Sequence, residues 1–298
     1  MPVQSKLVAT PADILHILLS TLPDFTDLGA LILTHRCFYE VFTASKHSLL
    51  NAVGRNMLGA YFNEAVSLAI EQNTSDGTAK RTIESNKTQQ IQVSSAIISQ
   101  LMDNERVLST LRPIVYGLIK TKRVPYIDQP EGLALLKGFP QTAKPSATEL
   151  HRLEVAGYRF WRFTCLDTKS KSAHEEFLTR LSAMELLELN TYVNNLKKIL
   201  EAIWNGAESD GDEYAIQGLL SRGPKSILSL WNTVLDGSYD EDELKRDAEY
   251  YENEGYFSYV LYDVIENKQL DLDILWDFKP ILDEEHEKAV KKLAAVAK

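Results

Sequence analysis

The chain contains 298 residues and has a mass of 33.7 kDa; 44% of its residues are apolar and 25% are charged. This composition is typical of a folded protein and excludes an intrinsically disordered one. The 32 Lys and Arg residues and 42 Asp and Glu residues give a net charge of −10, which disfavours a protein that coats nucleic acid. Because the chain has two cysteines, a disulfide framework is excluded, and we expect a cytoplasmic or nuclear location.

The first predicted element is a short apolar helix. Pro11 suits the first turn of a helix, because an N–H group at that position would have no partner within the helix. Ile14, Leu18 and Leu22 follow at the four-residue spacing of one helix face. The apolar run is interrupted by His16 and falls well short of the roughly 20 residues of a membrane span, so we expect no membrane partner.

Two more short helices and a longer one are predicted next. Pro23 ends the first helix, and Asp24 is a suitable N-cap for the second. A third helix is predicted from about Thr34, so three helices joined by tight breaks occupy residues 10–50. Residues 49–70 are predicted to form a single further helix.

The middle of the chain has fewer apolar patterns. Residues 72–92 are rich in small polar side chains and are predicted to form a mobile loop. Separate helices are predicted at about 93–102 and 107–120, and four prolines then mark residues 121–145 as a linker or long loop. The predicted organisation is a module at 1–50, a helical segment at 51–120, the linker at 121–145 and a helical, acidic domain at 146–298.

Two capping boxes mark helix starts in the last part of the chain. In each, a serine hydroxyl and a glutamate three residues later bind each other's backbone amide. The first pair is Ser146 and Glu149, and the second pair is Ser182 and Glu185. The second box is predicted to open a helix that runs to about Trp204.

The net charge is concentrated near the C-terminus. Residues 207–298 hold 22 acidic and 10 basic residues, whereas residues 1–206 hold 20 acidic and 22 basic residues. We favour a solvated acidic face, and the alternative is a surface that attracts a basic partner.

No motif of a catalytic or metal site is present. Cys37 and Cys165 are isolated, and none of the six histidines stands at a metal-ligand spacing. The sequence has no glycine-rich phosphate loop and no nucleophile elbow. We therefore expect no catalytic residue, no metal and no cofactor, and a protein that is not an enzyme.

Three arginines occur among aromatic residues in the helix after residue 146. Arg152, Arg159 and Arg162 lie near one predicted helix face, where a basic and aromatic strip for nucleic acid is one interpretation. We favour the other interpretation, in which the aromatic residues form the core and the arginines either extend their charged ends to solvent or pair with the acidic C-terminal third. No nucleic-acid partner is expected.

Three consecutive segments carry a family resemblance. They are residues 10–22 (TPADILHILLSTL), 23–28 (PDFTDL) and 31–42 (LILTHRCFYEVF). Their order resembles the F-box pattern, above all that of the F-box-like domains of filamentous fungi. In that pattern a Leu-Pro-x-Glu-Ile-Leu start and a short helix precede an Asp-Leu segment and a third helix with Arg and an aromatic residue. Thr10 and Asp13 stand where the pattern has Leu and Glu.

A second block of the sequence is also similar to those fungal proteins. It comprises residues 146–153 (SATELHRL) and 157–161 (GYRFW), which resemble a segment found downstream of the F-box-like domain. The expected fold is all-α, with a three-helix N-terminal module packed on or linked to a larger irregular helical domain.

The resemblance implies a substrate adaptor without an active site. The module would bind a Skp-type subunit of a cullin–RING ubiquitin ligase, and the rest of the chain would recruit an unknown protein substrate. The residues expected to contact the Skp-type adaptor are Pro11, Ile14, Leu15, Leu18, Leu28 and Leu31.

Two alternatives to the adaptor function stay open. The first is an interaction scaffold that keeps the F-box-like fold without ligase association, which Thr10 motivates. The second, weaker alternative is an enzyme with an unrecognised site, which the tyrosine-rich and acidic region at 236–262 motivates.

Overall fold

A computed structural model of the protein describes residues 10–74, 94–121, 147–166, 171–204, 212–236 and 257–268. Every regular element within these ranges is a helix, which confirms the predicted all-α fold class. The chain divides into two compact units, Met1–Asn104 and Glu105–Lys298.

The first unit begins with four short helices that pack together. They are α1 (Ala12–Ser20), α2 (Phe25–Thr34), α3 (Arg36–Ala44) and α4 (Lys46–Leu58). Helix α1 packs against α3 and α4, and α2 packs against the same two helices. We call α1–α4 the N-terminal helical module. A 3₁₀ turn (Gly59–Tyr61), helix α5 (Phe62–Thr74) and helix α6 (Ser95–Thr121) follow, and the division between the units falls within α6.

Local capping explains where α2 and α3 begin. The Asp24 carboxylate accepts a hydrogen bond of 2.8 Å from the Asp27 amide, which confirms the predicted N-cap of α2. The His35 side chain accepts a bond of 3.2 Å from the Cys37 amide, so α3 starts just after His35 rather than at Thr34.

Helix α4 completes the core of the module. The boundary predicted at residue 50 falls inside this helix, whose Leu49, Leu50 and Val53 are all buried. The other buried apolar residues of the module are Leu15, Leu19, Phe25, Leu28, Phe38 and Leu58. Removal of these side chains from water is the main stabilisation of such a small bundle.

Helix α4 also fixes the end of α1. Asn56 on α4 donates hydrogen bonds of 2.8 and 2.9 Å to the carbonyl oxygens of Ser20 and Leu22. Carbonyl groups at the end of a helix lack partners within the helix. The Asn56 side chain therefore satisfies two groups that α1 itself cannot, and it holds the two helices in register.

The prediction of one helix over residues 49–70 is wrong, because the chain breaks at Gly59. This residue has φ +57° and ψ −134°, a conformation that residues with a Cβ rarely adopt. The break separates α4 from α5, and Tyr61 and Phe62 just beyond it are buried. The two helices predicted at 93–102 and 107–120 are, in contrast, one continuous helix, α6.

The second unit contains six further described helices. They are α7 (Ala147–Thr164), α8 (Lys171–Thr179), α9 (Ala183–Trp204), α10 (Asp212–Ser221), α11 (Pro224–Asp236) and α12 (Phe257–Asn267). Helix α9 packs against α7, α10 and α11, and α12 packs against α8 and α10. Helix α9 therefore lies at the centre of the described part of this unit.

The capping box predicted at the start of α9 is confirmed. The Ser182 amide donates to the Glu185 carboxylate at 2.8 Å, and the Glu185 amide lies 3.4 Å from the Ser182 hydroxyl oxygen. Helix α9 ends at Trp204, as predicted. Ser146 of the other box and most of the predicted loop and linker lie outside the described residues.

Gly59→Ala is expected to destabilise the protein. A residue with a Cβ in this backbone conformation carries a strain of about 1–3 kcal/mol. The matched control is Gly29→Ala on α2, where an added Cβ would meet no atom within 4 Å. Alanine at such a helical position is favoured over glycine by about 0.5–1 kcal/mol. Thermal unfolding followed by circular dichroism should show a lower Tm for the first variant and an unchanged or higher Tm for the second; equal Tm values would contradict this assignment of Gly59.

Candidate functional site

Helix α1 is apolar on two opposite sides. Leu15 and Leu19 are buried in the module core. Ile14, Ile17 and Leu18 face outward, with 44%, 55% and 48% of their surfaces exposed. Residues three and four positions apart share one face of a helix, so these three side chains form one exposed apolar strip. We call Ile14, Ile17 and Leu18 the α1 strip.

The backbone beneath the α1 strip is well held. The Ser20 and Thr21 hydroxyls donate to the carbonyl oxygens of Ile17 and Leu18 at 2.8 and 2.9 Å. Together with Asn56, these bonds satisfy the carbonyl groups of the last turn. The strip is therefore displayed on a helix whose end is fixed, and little further ordering is needed when a partner binds.

A groove of about 500 Å³ lies between α1 and α3. Its lining includes the buried Leu15 and the half-buried Val41, and also the exposed acidic residues Asp13 and Glu40. The Glu40 carboxylate pairs with the exposed Arg36 at 2.7 Å. Apolar lining with a few polar groups is typical of a surface that binds a ligand or another protein. The α1 residues that line the groove are not those of the α1 strip, so the groove and the strip are separate candidate surfaces of the module.

The six residues predicted to contact an adaptor occupy different environments. Pro11, Ile14 and Leu18 are exposed, and Leu31 is half-buried. The remaining two are buried in the module core: Leu15 and Leu28. Leu15 still lines the groove, whereas Leu28 does not. We therefore assign Leu28 to the core, and Leu15 to both the core and the groove.

Ile17 belongs to the surface although it was not among the predicted contact residues. It is the most exposed residue of the α1 strip. The sequence held a signal for it, because the nine residues of α1 include five large apolar side chains. One side of a nine-residue helix cannot bury all five, so some must face outward.

A second group of functional candidates lies between α7 and α9 in the second unit. Arg152 Nε and Arg159 Nη1 each lie 3.6 Å from a carboxylate oxygen of Glu188, and Arg159 also pairs with Glu185. The Arg162 guanidinium lies 5.5 Å from the centre of the Phe177 ring. We call Arg152, Arg159, Glu185 and Glu188 the α7–α9 charge cluster.

The cluster tests the two interpretations of the three arginines. The interleaved aromatic residues are buried, as the favoured interpretation requires: Tyr158, Phe160, Trp161 and Phe163. Arg152 and Arg159 pair with carboxylates of α9, whereas most of the acidic C-terminal third lies outside the described residues, so a pairing with that part of the chain stays a prediction. Charges neutralised in this way do not form a surface for nucleic acid.

Close helix packing brings these charges together. An added Cβ on Gly157 of α7 would lie 3.1 Å from the Tyr192 hydroxyl oxygen of α9. Arg112 pairs with Glu105 at 3.0 Å and with Glu154 at 2.6 Å in the same unit. These ion pairs lie among packed helices, where they help to orient one helix against another.

The two carboxylates of the cluster differ in proton affinity. Burial raises the pKa of Glu188 to about 7, although the positive charges of Arg152 and Arg159 oppose this shift. The pKa of Glu185 is lowered, because hydrogen bonds from Ser182 and the charge of Arg159 outweigh the effect of its partial burial. Glu188 is therefore the acidic group of the cluster that titrates near neutral pH.

Metal and membrane sites were also sought in the described ranges. There, no group of three His, Cys, Asp or Glu side chains could hold a metal ion. None of the described helices combines the length and hydropathy of a bilayer span. Most of the region at 236–262, which motivated an enzymatic alternative, lies outside the described residues.

Comparison of the chain with family models, curated proteins and solved structures returned no match. Function is therefore inferred from the residues and their geometry.

Glu188→Gln is expected to change how stability depends on pH. Since the folded-state pKa of Glu188 is raised from 4.5 to about 7, the folded protein retains a proton that the unfolded chain releases first. This stabilisation is complete below pH 4.5 and is lost as the pH rises to about 7. The loss amounts to at most about 3 kcal/mol. The Tm of the variant minus the Tm of wild type should therefore increase as the pH is raised from 4.5 to about 7.

The control for this measurement is Glu176→Gln, which removes an exposed carboxylate of α8 that pairs with Arg180. It separates the effect of the buried site from the general effect of one lost charge. A Tm difference between wild type and Glu188→Gln that stays constant across this pH range would refute the raised pKa.

Proposed function

We propose that the protein is an adaptor whose N-terminal helical module docks onto a Skp-type subunit of a cullin–RING ubiquitin ligase. The observation that carries the proposal is the α1 strip, an exposed apolar face on a helix whose other face is buried. Contiguous exposed apolar side chains are a feature of protein–protein contact sites. Apolar side chains at helical spacing are also the usual anchors of a helix that binds in a groove.

The strip alone is too small to support a stable complex. Complete burial of an Ile or Leu side chain contributes about 1.5–3 kcal/mol, so each half-exposed residue of the strip contributes about 1 kcal/mol. Three such residues fall short of the roughly 8 kcal/mol that a micromolar complex requires. Docking therefore needs further contacts, for which the groove between α1 and α3 and the exposed Pro11 are the candidates.

The identity of the partner comes from the resemblance of residues 10–50 to the F-box pattern. On this proposal the rest of the chain recruits a protein substrate in the cytoplasm or nucleus, and the chain itself catalyses no reaction. Thr10, which stands where the F-box pattern has Leu, favours the second candidate function, a scaffold with the same docking surface but no ligase partner.

Leu18→Asp is expected to abolish binding to a purified Skp-type adaptor. A carboxylate in the α1 strip would have to be desolvated against an apolar surface, so affinity should fall by at least about 30-fold. The measurement is calorimetric titration of the full-length chain. Circular dichroism should show an unchanged fold, because Leu18 is half-exposed.

The matched control is Leu33→Asp. Leu33 lies on α2, is 83% exposed and does not line the groove, so the same substitution there should leave the affinity unchanged. Equal affinities of wild type and Leu18→Asp would remove the α1 strip from the docking surface. If the wild-type chain fails to bind the adaptor but binds another protein through Leu18, the scaffold function is favoured instead.

A further inference from the structure

We propose that Thr10 is a phosphorylation site for a proline-directed protein kinase, and that phosphate at Thr10 closes the groove between α1 and α3 to anionic and apolar partners. The site itself is independent of the proposed adaptor function. Its effect on adaptor binding rests on that function.

The sequence marks Thr10 as a distinctive position. Of the ten prolines in the chain, only Pro11 follows a serine or threonine. A hydroxyl residue directly before proline is the feature that proline-directed kinases require. Proline also biases the residue before it toward an extended backbone, which is the conformation that a kinase cleft accepts.

The structure places the residues that follow the acceptor at the surface. Thr10 is half-buried, and Pro11, Ala12 and Asp13 after it are all exposed. Pro11 has ψ 143°, so the chain is extended there and becomes helical from Ala12 onward. The acceptor residue therefore precedes the rigid helix and is outside it.

The chemistry is an ordinary phosphoryl transfer from ATP. The Thr10 hydroxyl oxygen attacks the γ-phosphorus, the bond to the β–γ bridging oxygen breaks and ADP leaves. The hydroxyl proton passes to the catalytic base of the kinase. The product is phosphothreonine, which adds a charge of about −1.5 to −2 at neutral pH.

The new charge would lie at the groove. Thr10 lines this groove together with the exposed Asp13 and with Glu40, whose charge is balanced by Arg36, so phosphate adds to the negative charge of Asp13. The start of α1 tolerates the phosphate, because the positive end of a helix dipole favours an anion and Pro11 provides no side-chain cap there. Phosphorylation therefore changes the groove without unfolding α1.

The first experiment tests the site directly. Purified full-length chain is incubated with ATP and a proline-directed kinase that does not require a basic residue at the third position after the acceptor, since Asp13 occupies that position. Intact mass and peptide mapping should show one phosphate, on Thr10. Thr10→Val should carry none at this position, and Pro11→Ala should be phosphorylated much more slowly. Absence of phosphate from Thr10, or equal rates for wild type and Pro11→Ala, would overturn the site.

The second experiment tests the effect on the groove without any partner protein. Cys37 is half-buried and lines the groove, so its thiol reports on the local potential. In a Cys165→Ser background, phosphorylation should slow the reaction of Cys37 with the anionic reagent dithiobis(nitrobenzoate) by at least about threefold at low salt. The reaction with neutral iodoacetamide should slow less, because the phosphate does not repel this reagent and acts only by disfavouring the reactive thiolate. Equal slowing of both reagents, or no slowing of either, would overturn the electrostatic effect.

The third experiment connects the site with the proposed function. Phosphorylated chain should bind the Skp-type adaptor at least about tenfold more weakly than unmodified chain, because docking would desolvate the phosphate. Equal affinities would overturn the regulatory effect. Complete failure of the unmodified chain to bind would count against the adaptor function alone, since the first two experiments do not depend on it.

Discussion

The N-terminal helical module depends on a geometric constraint on α1. A helix of nine residues makes two and a half turns, so only one side of it can pack against neighbouring helices. Leu15 and Leu19 occupy the side that meets α3 and α4. The other large apolar residues of this helix have no place in the core, and the module exposes them to water. Exposed apolar side chains lower the solubility of a protein, and docking onto a partner would cover them.

The same constraint explains why α4 belongs to the module. Three short helices expose most of their surface and bury little, so an isolated module of residues 10–44 would have a small core. Helix α4 adds buried residues such as Leu50 and Val53, and its Asn56 binds the carbonyl groups at the end of α1. The exposed face of α1 is therefore displayed by a rigid support, which lowers the entropy lost on binding.

The features that could be predicted from the sequence are those set by neighbouring residues. The N-cap at Asp24 and the capping box at Ser182 depend on side chains that bind amides three residues away, and both are confirmed. The break at Gly59 could not be predicted in this way, because a glycine inside a helical pattern is often tolerated. Its left-handed conformation accompanies the burial of Tyr61 and Phe62, which is a tertiary effect.

At the two candidate sites, the features that could not be predicted from the sequence are those that depend on contacts between residues far apart in the chain. The apolar spacing in α1 indicated a helix, but which face was buried depended on how α3 and α4 pack against it. Leu15 and Leu18 were therefore predicted to have the same role, although one is buried and the other is exposed. In the second unit, the charge totals gave no signal for Glu185 and Glu188 as partners of Arg159. These carboxylates are on α9, which packs against the helix of Arg159.

The two sites differ in the observation that makes each one unusual. Most polar side chains of a folded protein are exposed and most large apolar side chains are buried, so buried polar groups and exposed apolar groups are both exceptions. A buried polar group is stabilised by a polar partner, whereas an exposed apolar group is stabilised when another molecule covers it. In the α7–α9 charge cluster, Arg159 and Glu188 face each other inside the protein, so the burial of each charge is partly offset within the fold. In the α1 strip, Ile14, Ile17 and Leu18 face water and have no such partner within the module. Apolar side chains that only another molecule can cover favour a binding surface, which is why the proposed function is placed at α1.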